Sequence, residues 1–250
     1  MLYLYRAELL KLRRTKIYWA VWLLAALGNL VSLVFMLSSG DIKDAFYQQG
    51  TLIMFLAPFL FAVVAGYIFS KEYGDRTINQ LFTYPVSRTR IFTVKLLVIF
   101  TMIVMTFVLA CFSVIVLGAL KVFAGEIPSE LFLHGLTMNA IACALSFCTI
   151  PVAAAVTIVG KNIVPPTVLG AFASFVTLGL KLGRQDMMVV LSPWATPYYM
   201  VREFDISKFV QTGEANPYVG TGLITLALTF VISLVFCLWY YNKSEIHSGS

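Results

Sequence analysis

The sequence predicts an all-α membrane protein with six transmembrane helices and an N-terminal amphipathic helix. Composition is the first indication: 60% of the 250 residues are hydrophobic and 12% are charged, whereas soluble domains average about 25% charged residues. The second is that every charged residue lies outside six uncharged stretches, at 17–40, 45–70, 96–120, 131–160, 162–180 and 215–242. This composition excludes both a disordered chain and an ordinary soluble globule.

The lengths of these stretches favour helices, because a helix needs roughly 20 apolar residues to cross the hydrocarbon of a bilayer. A helix also satisfies its own backbone hydrogen bonds in lipid, and the stretches lack the alternation of barrel strands. We predict one transmembrane domain over 1–250, with spans at about 17–37, 51–70, 91–120, 135–159, 164–181 and 218–241. Pro58 and Pro151 are expected to kink the second and fourth spans.

The basic residues are unevenly divided between the two sides of this topology. Twelve of the 18 Lys and Arg residues fall before the first span, in the second and fourth connections, or in the tail. The positive-inside rule therefore predicts that both termini are cytoplasmic. The net charge of +6 is read as this topology signal, and nucleic acid is not expected as a partner.

Two segments outside the spans carry their own patterns. In segment 1–16, Leu2, Tyr5, Leu9 and Leu12 recur at helical spacing among basic residues, which predicts an amphipathic helix on the cytoplasmic leaflet. A plain basic topology anchor is the alternative. Segment 182–217 is predicted to lie at the outer interface, where 187–200 could cap an exit or serve only as an aromatic anchor.

The sequence lacks the residue patterns typical of redox, ATP-binding, metal-binding and enzymatic sites. The four cysteines fall inside spans without CxxC spacing, so they are read as buried apolar side chains. No phosphate-binding loop and no His-Glu-x-x-His occur in the sequence, so ATP binding by this chain, a metal site and an enzyme activity are not expected. No charged residue lies in a span core. This weakens the hypothesis of an ion-coupled transporter, which usually needs ionisable groups within the membrane. Asn29 and Asn139 are read as interhelical contacts.

The connection at 71–90 is the most informative part of the chain. Ile78, Leu81 and Phe82 make a small apolar face at helical spacing, and Pro85 ends any helix at about Tyr84. The pattern predicts a short amphipathic helix over 75–83, held at both ends by membrane helices. A partner that bound its exposed face would push two spans at once.

Here the chain resembles the permeases of ABC-2-type transporters. The resemblance covers the six-span layout and an ordered set of loop residues: Glu72, Gly74, Thr77, Leu81, Thr83, Pro85, Val86, Ser87, Arg88, Ile91 and Lys95. It implies a type V exporter-like fold and a bacterial plasma-membrane location. Size and motif most resemble small bacterial permeases for resistance or immunity to peptide antibiotics such as bacitracin and lantibiotics.

The resemblance also implies a site and partners. The loop would be the coupling element that docks on a separate P-loop ATPase, which would hold ATP and Mg while this chain holds no cofactor. Glu72 would be a hinge or ion-pair residue, and Arg88 could instead contact anionic lipid. The candidate coupling residues are Glu72, Gly74, Asp75, Arg76, Thr77, Asn79, Gln80, Pro85 and Arg88.

The implied function is export of an amphipathic substrate, a peptide antibiotic or a lipid-linked compound, by a homodimer or a heterodimer with a related permease. Two alternatives stay open. A secondary transporter would use an ion gradient without an ATPase. A non-transport assembly or sensor protein would show neither ATP-driven nor ion-driven transport.

Overall fold

Helices make up nearly all of the chain that the computed structural model describes, which is residues 2–13, 15, 17–38, 42–74, 86–182, 192–197 and 218–243. No strand occurs among these residues. The helices are α1 (Leu2–Arg13), α2 (Ile17–Ser38), α3 (Ile42–Gly74), α4 (Arg88–Ala110), α5 (Phe112–Phe123), α6 (Ser129–Phe147), α7 (Ile150–Gly160), α8 (Val164–Leu182) and α9 (Tyr218–Lys243). The prediction of an all-helical chain is confirmed for these residues.

Four helical segments are long and apolar enough to cross a membrane. They are Phe55–Tyr73, Arg88–Ala110, Ser129–Gly160 and Gly220–Lys243. Shorter apolar helical runs, Val21–Phe35 and Val164–Gly179, lie within the predicted first and fifth spans. The described residues thus contain four candidate spans by length and composition, where the sequence predicts six.

Helix α3 is the centre of the bundle and packs most extensively against α8 and α2. Small residues let the backbones of α3 and α8 approach closely. A Cβ at Gly170 of α8 would lie 2.7 Å from the Ala62 Cβ and 3.0 Å from the Pro58 carbonyl oxygen, both in α3. A Cβ at Gly66 of α3 would lie 2.6 Å from the Pro166 Cγ of α8. Glycine at these two positions therefore fixes the spacing of the two helices.

Several boundaries differ from the predicted ones. Helix α3 begins at Ile42, before the predicted start at 51, and continues through Pro58. The third predicted span is divided into α4 and α5 at Cys111, although no proline is present there. The fourth is divided between α6 and α7, just ahead of Pro151. That second break lies where a proline removes a helix hydrogen bond.

The N-terminal segment is helical from Leu2 and packs against α4. Leu12 is buried, and Tyr5 and Leu9 pack against the main core, whereas Leu2 is 62% exposed. Tyr5 also forms a 2.7 Å hydrogen bond with Thr101 of α4. Helix α1 is therefore fixed to the bundle along one face.

Candidate functional site

The predicted coupling residues lie only partly in the described chain. Residues 75–85, which hold the predicted coupling helix, lie outside the described residues, and with them Asp75, Arg76, Thr77, Asn79, Gln80 and Pro85. Glu72 and Gly74 lie in the last turn of α3, and Arg88 is the first residue of α4. The structure therefore shows the two ends from which the loop departs.

A buried ion pair joins these two ends. Lys95 Nζ of α4 lies 2.9 Å from Glu72 Oε1 of α3 and donates a hydrogen bond to the Ile68 carbonyl oxygen at 3.0 Å. The Lys95 side chain is 1% exposed and the Glu72 side chain 9% exposed. A charge buried away from water is stable only with a counter-charge. The charged form of each of these two residues therefore depends on the other.

Helix α1 contributes a second cation to the same carboxylate. Lys11 Nζ lies 3.9 Å from Glu72 Oε1 and donates a 2.6 Å hydrogen bond to Glu8, one turn earlier. Partial burial lowers the pKa of Lys11, but the hydrogen bond to Glu8 and the negative charges of Glu8 and Glu72 outweigh it and raise the pKa above 10.5. Lys11 is therefore a protonated link between α1 and α3.

Aromatic side chains shield this charged group and bring α9 to it. The rings of Phe69 and Phe92 lie 5.4 Å apart, and Phe92 lies 5.9 Å from Tyr241 of α9. Lys95 Nζ lies 5.7 Å from the centre of the Phe69 ring, a cation–π contact. The rings exclude water from the ion pair, which strengthens its attraction.

Arg88 makes a separate link at the rim. Its Nη1 donates a 3.0 Å hydrogen bond to the Asn242 carbonyl oxygen in the last turn of α9. A cation beside the last carbonyl groups of a helix is favourable. Arg88 thus joins the start of α4 to the end of α9.

We name these side chains the charged junction: Glu8, Lys11, Glu72, Arg88 and Lys95, with the rings of Phe69, Phe92 and Tyr241. It ties the two ends of segment 75–87 to each other and to α1 and α9. It therefore links four helices, α1, α3, α4 and α9.

Sequence reasoning gave no role to Lys95, Lys11 or Glu8. The charge count assigns Lys95 to the second connection, although it lies inside the predicted span 91–120. The structure places it about two turns into α4 with a buried side chain. The available signal was its setting, a lone lysine between Val94 and Leu96 in an apolar helix. A lysine in such a run needs a partner, and Glu72 is an acidic residue at the end of the preceding span.

The described residues hold no group of three or more His, Cys, Asp or Glu side chains placed to bind a metal ion. All four cysteines lie in described helices or turns and form no disulfide.

Comparison with known proteins places the chain among transporters. The sequence pattern of the family described as "ABC-2 family transporter protein" matches residues 4–177. The chain is also similar to a bacitracin transport permease protein, BCRB, from Bacillus licheniformis, with 26% identity over 196 residues. That alignment covers 78% of this chain and 88% of the relative. The family match includes α1 from Leu4 onward, both ends of the loop and every residue of the charged junction except Tyr241.

Proposed function

The chain belongs to the ABC-2 family of transporter proteins, and we propose that it works as the permease subunit of an ATP-binding cassette exporter. The family and the four long apolar helices make it a multi-pass membrane permease. The proposal adds that a separate P-loop ATPase, with ATP and Mg bound, drives it. It also adds that this chain carries no cofactor of its own.

The proposed substrate is amphipathic, a peptide antibiotic or a lipid-linked compound, and is moved out of or off the membrane. The similarity to a bacitracin transport permease over 78% of the chain supports this class. The direction, outward, is part of the proposal. A resistance assay that compares cells with and without the gene against several cell-envelope antibiotics tests the substrate class.

The proposed assembly has two permease chains, identical or related, in the bacterial plasma membrane, with an ATPase below each. Each chain would cross the membrane six times with both termini in the cytoplasm, and α1 would lie on the inner leaflet as an amphipathic helix. The distribution of basic residues supports this orientation. It would place the charged junction at the cytoplasmic end of the bundle, beside the ATPase.

One observation carries the coupling part of the proposal: the Glu72–Lys95 ion pair clamps the two helices between which segment 75–87 runs. Work delivered to this segment would reach α3 and α4 together rather than being absorbed by a hinge. Glu72 and Gly74 would hold the near end and Arg88 the far end. Asp75, Arg76, Thr77, Asn79, Gln80 and Pro85 would form or limit the docking helix.

The test is ATP hydrolysis by the reconstituted complex with its ATPase. Arg76→Ala, on the proposed contact surface, should lower the substrate stimulation of hydrolysis several-fold with the permease still inserted. Glu126→Gln is a matched control, because Glu126 lies in another connection with its side chain 60% exposed. No ATPase co-purifying with the wild-type permease, or equal coupling in both variants, would overturn the proposal.

A second measurement separates this proposal from an ion-coupled transporter. An uncoupler that collapses the ion gradient while ATP is maintained should leave transport by a cassette exporter intact. Loss of transport under that condition would favour the ion-coupled alternative.

A further inference from the structure

The break between α4 and α5 is bridged by a side chain from a different helix. In an uninterrupted helix the N–H of Ser113 would donate to the carbonyl oxygen of Leu109. Here the N–H of Ser113 donates to Asn29 Oδ1 of α2 at 2.8 Å, and Asn29 Nδ2 donates to the Leu109 carbonyl oxygen. The carboxamide of Asn29 is therefore inserted into the backbone ladder and takes the place of one peptide–peptide hydrogen bond.

The surroundings explain how Asn29 reaches this position. A Cβ at Gly28 would lie 2.9 Å from the Ala110 Cβ, so glycine allows α2 to touch the break. The Ser113 hydroxyl donates to the backbone carbonyl of Asn29 at 3.2 Å. Asn29 lies near the middle of α2, where lipid offers no hydrogen-bond partner. The inserted carboxamide thus keeps the backbone of the interrupted helix satisfied in the membrane, and a side chain inserted into the helix ladder is a known cause of a kink.

Next to the break lies a buried amide side chain whose hydrogen bonding is incomplete. Gln49 of α3 is fully buried and donates from Nε2 to Cys111 Sγ at 3.0 Å, a weak acceptor. Its Oε1 accepts no hydrogen bond from any residue in the described part of the chain. A buried amide oxygen without a donor is unfavourable. Such a group lowers the stability of the packing around the break.

We propose that Asn29 is a positioning residue for a two-state hinge in the third predicted span. In one state Asn29 bridges Leu109 and Ser113, and α5 is bent away from α4. In the other, Ser113 donates directly to Leu109, and α4 and α5 form one straight helix. The backbone groups of Leu109 and Ser113 are paired in both states, so neither state leaves them exposed to lipid.

The hinge deepens the proposed function, because α5 leads into the connection before α6 and its swing would alter the permease at that end. Only the effect of the hinge on transport rests on the proposed function. Its own test is a distance that requires no ATPase and no substrate, so the failure of either idea is recognised separately.

The experiment measures the distance between spin labels on α4 and α5 in lipid nanodiscs. Labels attached to ketone side chains at Leu97 (44% exposed) and Phe123 (90% exposed) leave Cys111 and the other native cysteines intact. A straight helix would separate these two Cα atoms by about 39 Å, at roughly 1.5 Å per residue. The unmodified sequence at the hinge should show this distance and a shorter one together.

Two substitutions should move the populations in opposite directions. Asn29→Leu removes the bridge, so the longer distance should dominate. Ser113→Pro removes the N–H that the straight helix needs and sets its ring against the Leu109 carbonyl, so the shorter distance should dominate. Proline is tolerated there because Ser113 is in the first turn of α5. If Asn29 only stabilised the fold, the two substitutions would not shift the two distance populations in opposite directions.

Asn139→Leu is the matched control, because among the described residues Asn139 Nδ2 donates within its own helix, to the Gly135 carbonyl oxygen at 2.9 Å. It should leave both populations unchanged. If Asn29→Leu does not yield a monodisperse protein, Asn29→Ala is judged in the same way, and Ser113→Pro stands independently. A single narrow distance before substitution, or shifts of both variants in the same direction, would overturn the hinge.

Discussion

Lys95 Nζ lies 2.9 Å from Glu72 Oε1, in a site where neither side chain is more than 9% exposed. This pair holds the end of α3 against the beginning of α4, the two helices that flank the proposed coupling segment. Its burial distinguishes it from the surface pair Lys121–Glu126, whose nearest charged atoms are 3.9 Å apart. Buried pairs are sensitive to loss of one partner, and surface pairs contribute little.

Lys95→Met should therefore be strongly destabilising, by about 3–5 kcal/mol. Among the described residues it leaves the buried Glu72 carboxylate with Lys11, 3.9 Å away, as its cation. The double variant Glu72→Leu with Lys95→Met should recover most of that loss, since an apolar pair needs no counter-charge. The measurement is the free energy of unfolding in mixed micelles as SDS is added, taken as a double-mutant cycle.

Lys121→Met provides the comparison for the same substitution at a partly exposed pair, with side chains 28% and 60% exposed, and its effect should stay within about 1 kcal/mol. Additive losses in the double variant would show that the two junction residues do not act as a pair.

Gly170 should tolerate no side chain, because the atoms that a Cβ would meet belong to α3 itself. They include the Pro58 carbonyl oxygen and the Phe59 Cα, each 3.0 Å away. Since backbone cannot move aside as a flexible side chain can, Gly170→Ala should destabilise by about 1–3 kcal/mol. The thermal unfolding temperature in detergent should fall accordingly.

Gly179 offers a control on the same helix, because a Cβ there would meet nothing within 4 Å. Gly179→Ala should be neutral or stabilising, by up to about 1 kcal/mol, since alanine is the better helix former. Equal losses at both positions would mean that the α3–α8 contact does not determine the outcome, because alanine is the better helix former at both.

The two helix breaks show how far sequence reasoning reaches. Pro151 is visible in the sequence, and α6 ends shortly before it. Cys111 has no such signal, because its break is bridged by Asn29, a residue about eighty positions earlier in the chain. Local pattern thus finds breaks with a local cause and misses those maintained by tertiary contact. Pro58 differs from Pro151 in that α3 continues through it.

The charged junction likewise contains one residue that local pattern could find and partners that only tertiary packing determines. Periodicity and charge direct attention to the 71–90 connection and to Glu72, because a long loop between two spans is a local feature. The partner of Glu72 is set by packing: Lys95 faces it only because α3 and α4 lie side by side, and Lys11 only because α1 folds back onto them. Proximity of this kind is absent from a single sequence.

Tyr5→Phe tests the docking of α1 on α4. Thr101 Oγ1 already donates its proton to the Leu97 carbonyl oxygen at 2.9 Å, so Tyr5 is the donor in the 2.7 Å contact between their hydroxyl groups. Removing it should reduce the free energy of unfolding by about 0.5–1.5 kcal/mol. Hydrogen exchange in α1 should increase as well, because the helix detaches more often.

Tyr3→Phe is the matched control, because Tyr3 is 86% exposed on the same helix. It should change neither quantity. Faster exchange in both variants would indicate a general loss of helicity in α1 rather than loss of the contact with Thr101.

Lys11 should give the link between α1 and α3 an alkaline limit. The carboxylates of Glu8 and Glu72 raise its pKa in the folded protein above 10.5, so its stabilisation is fully present below the unfolded value and is lost as the pH rises through the folded one. Because Lys11 is about half exposed, the contribution should be small, within about 1 kcal/mol. The stability difference between the unmodified protein and Lys11→Met should be constant at pH values well below the unfolded pKa of about 10.4 and should disappear at a pH above the folded pKa. Lys11→Arg should keep the difference at that pH, since a guanidinium stays charged. Loss of the difference already near neutral pH would rule out Lys11 as the titrating group.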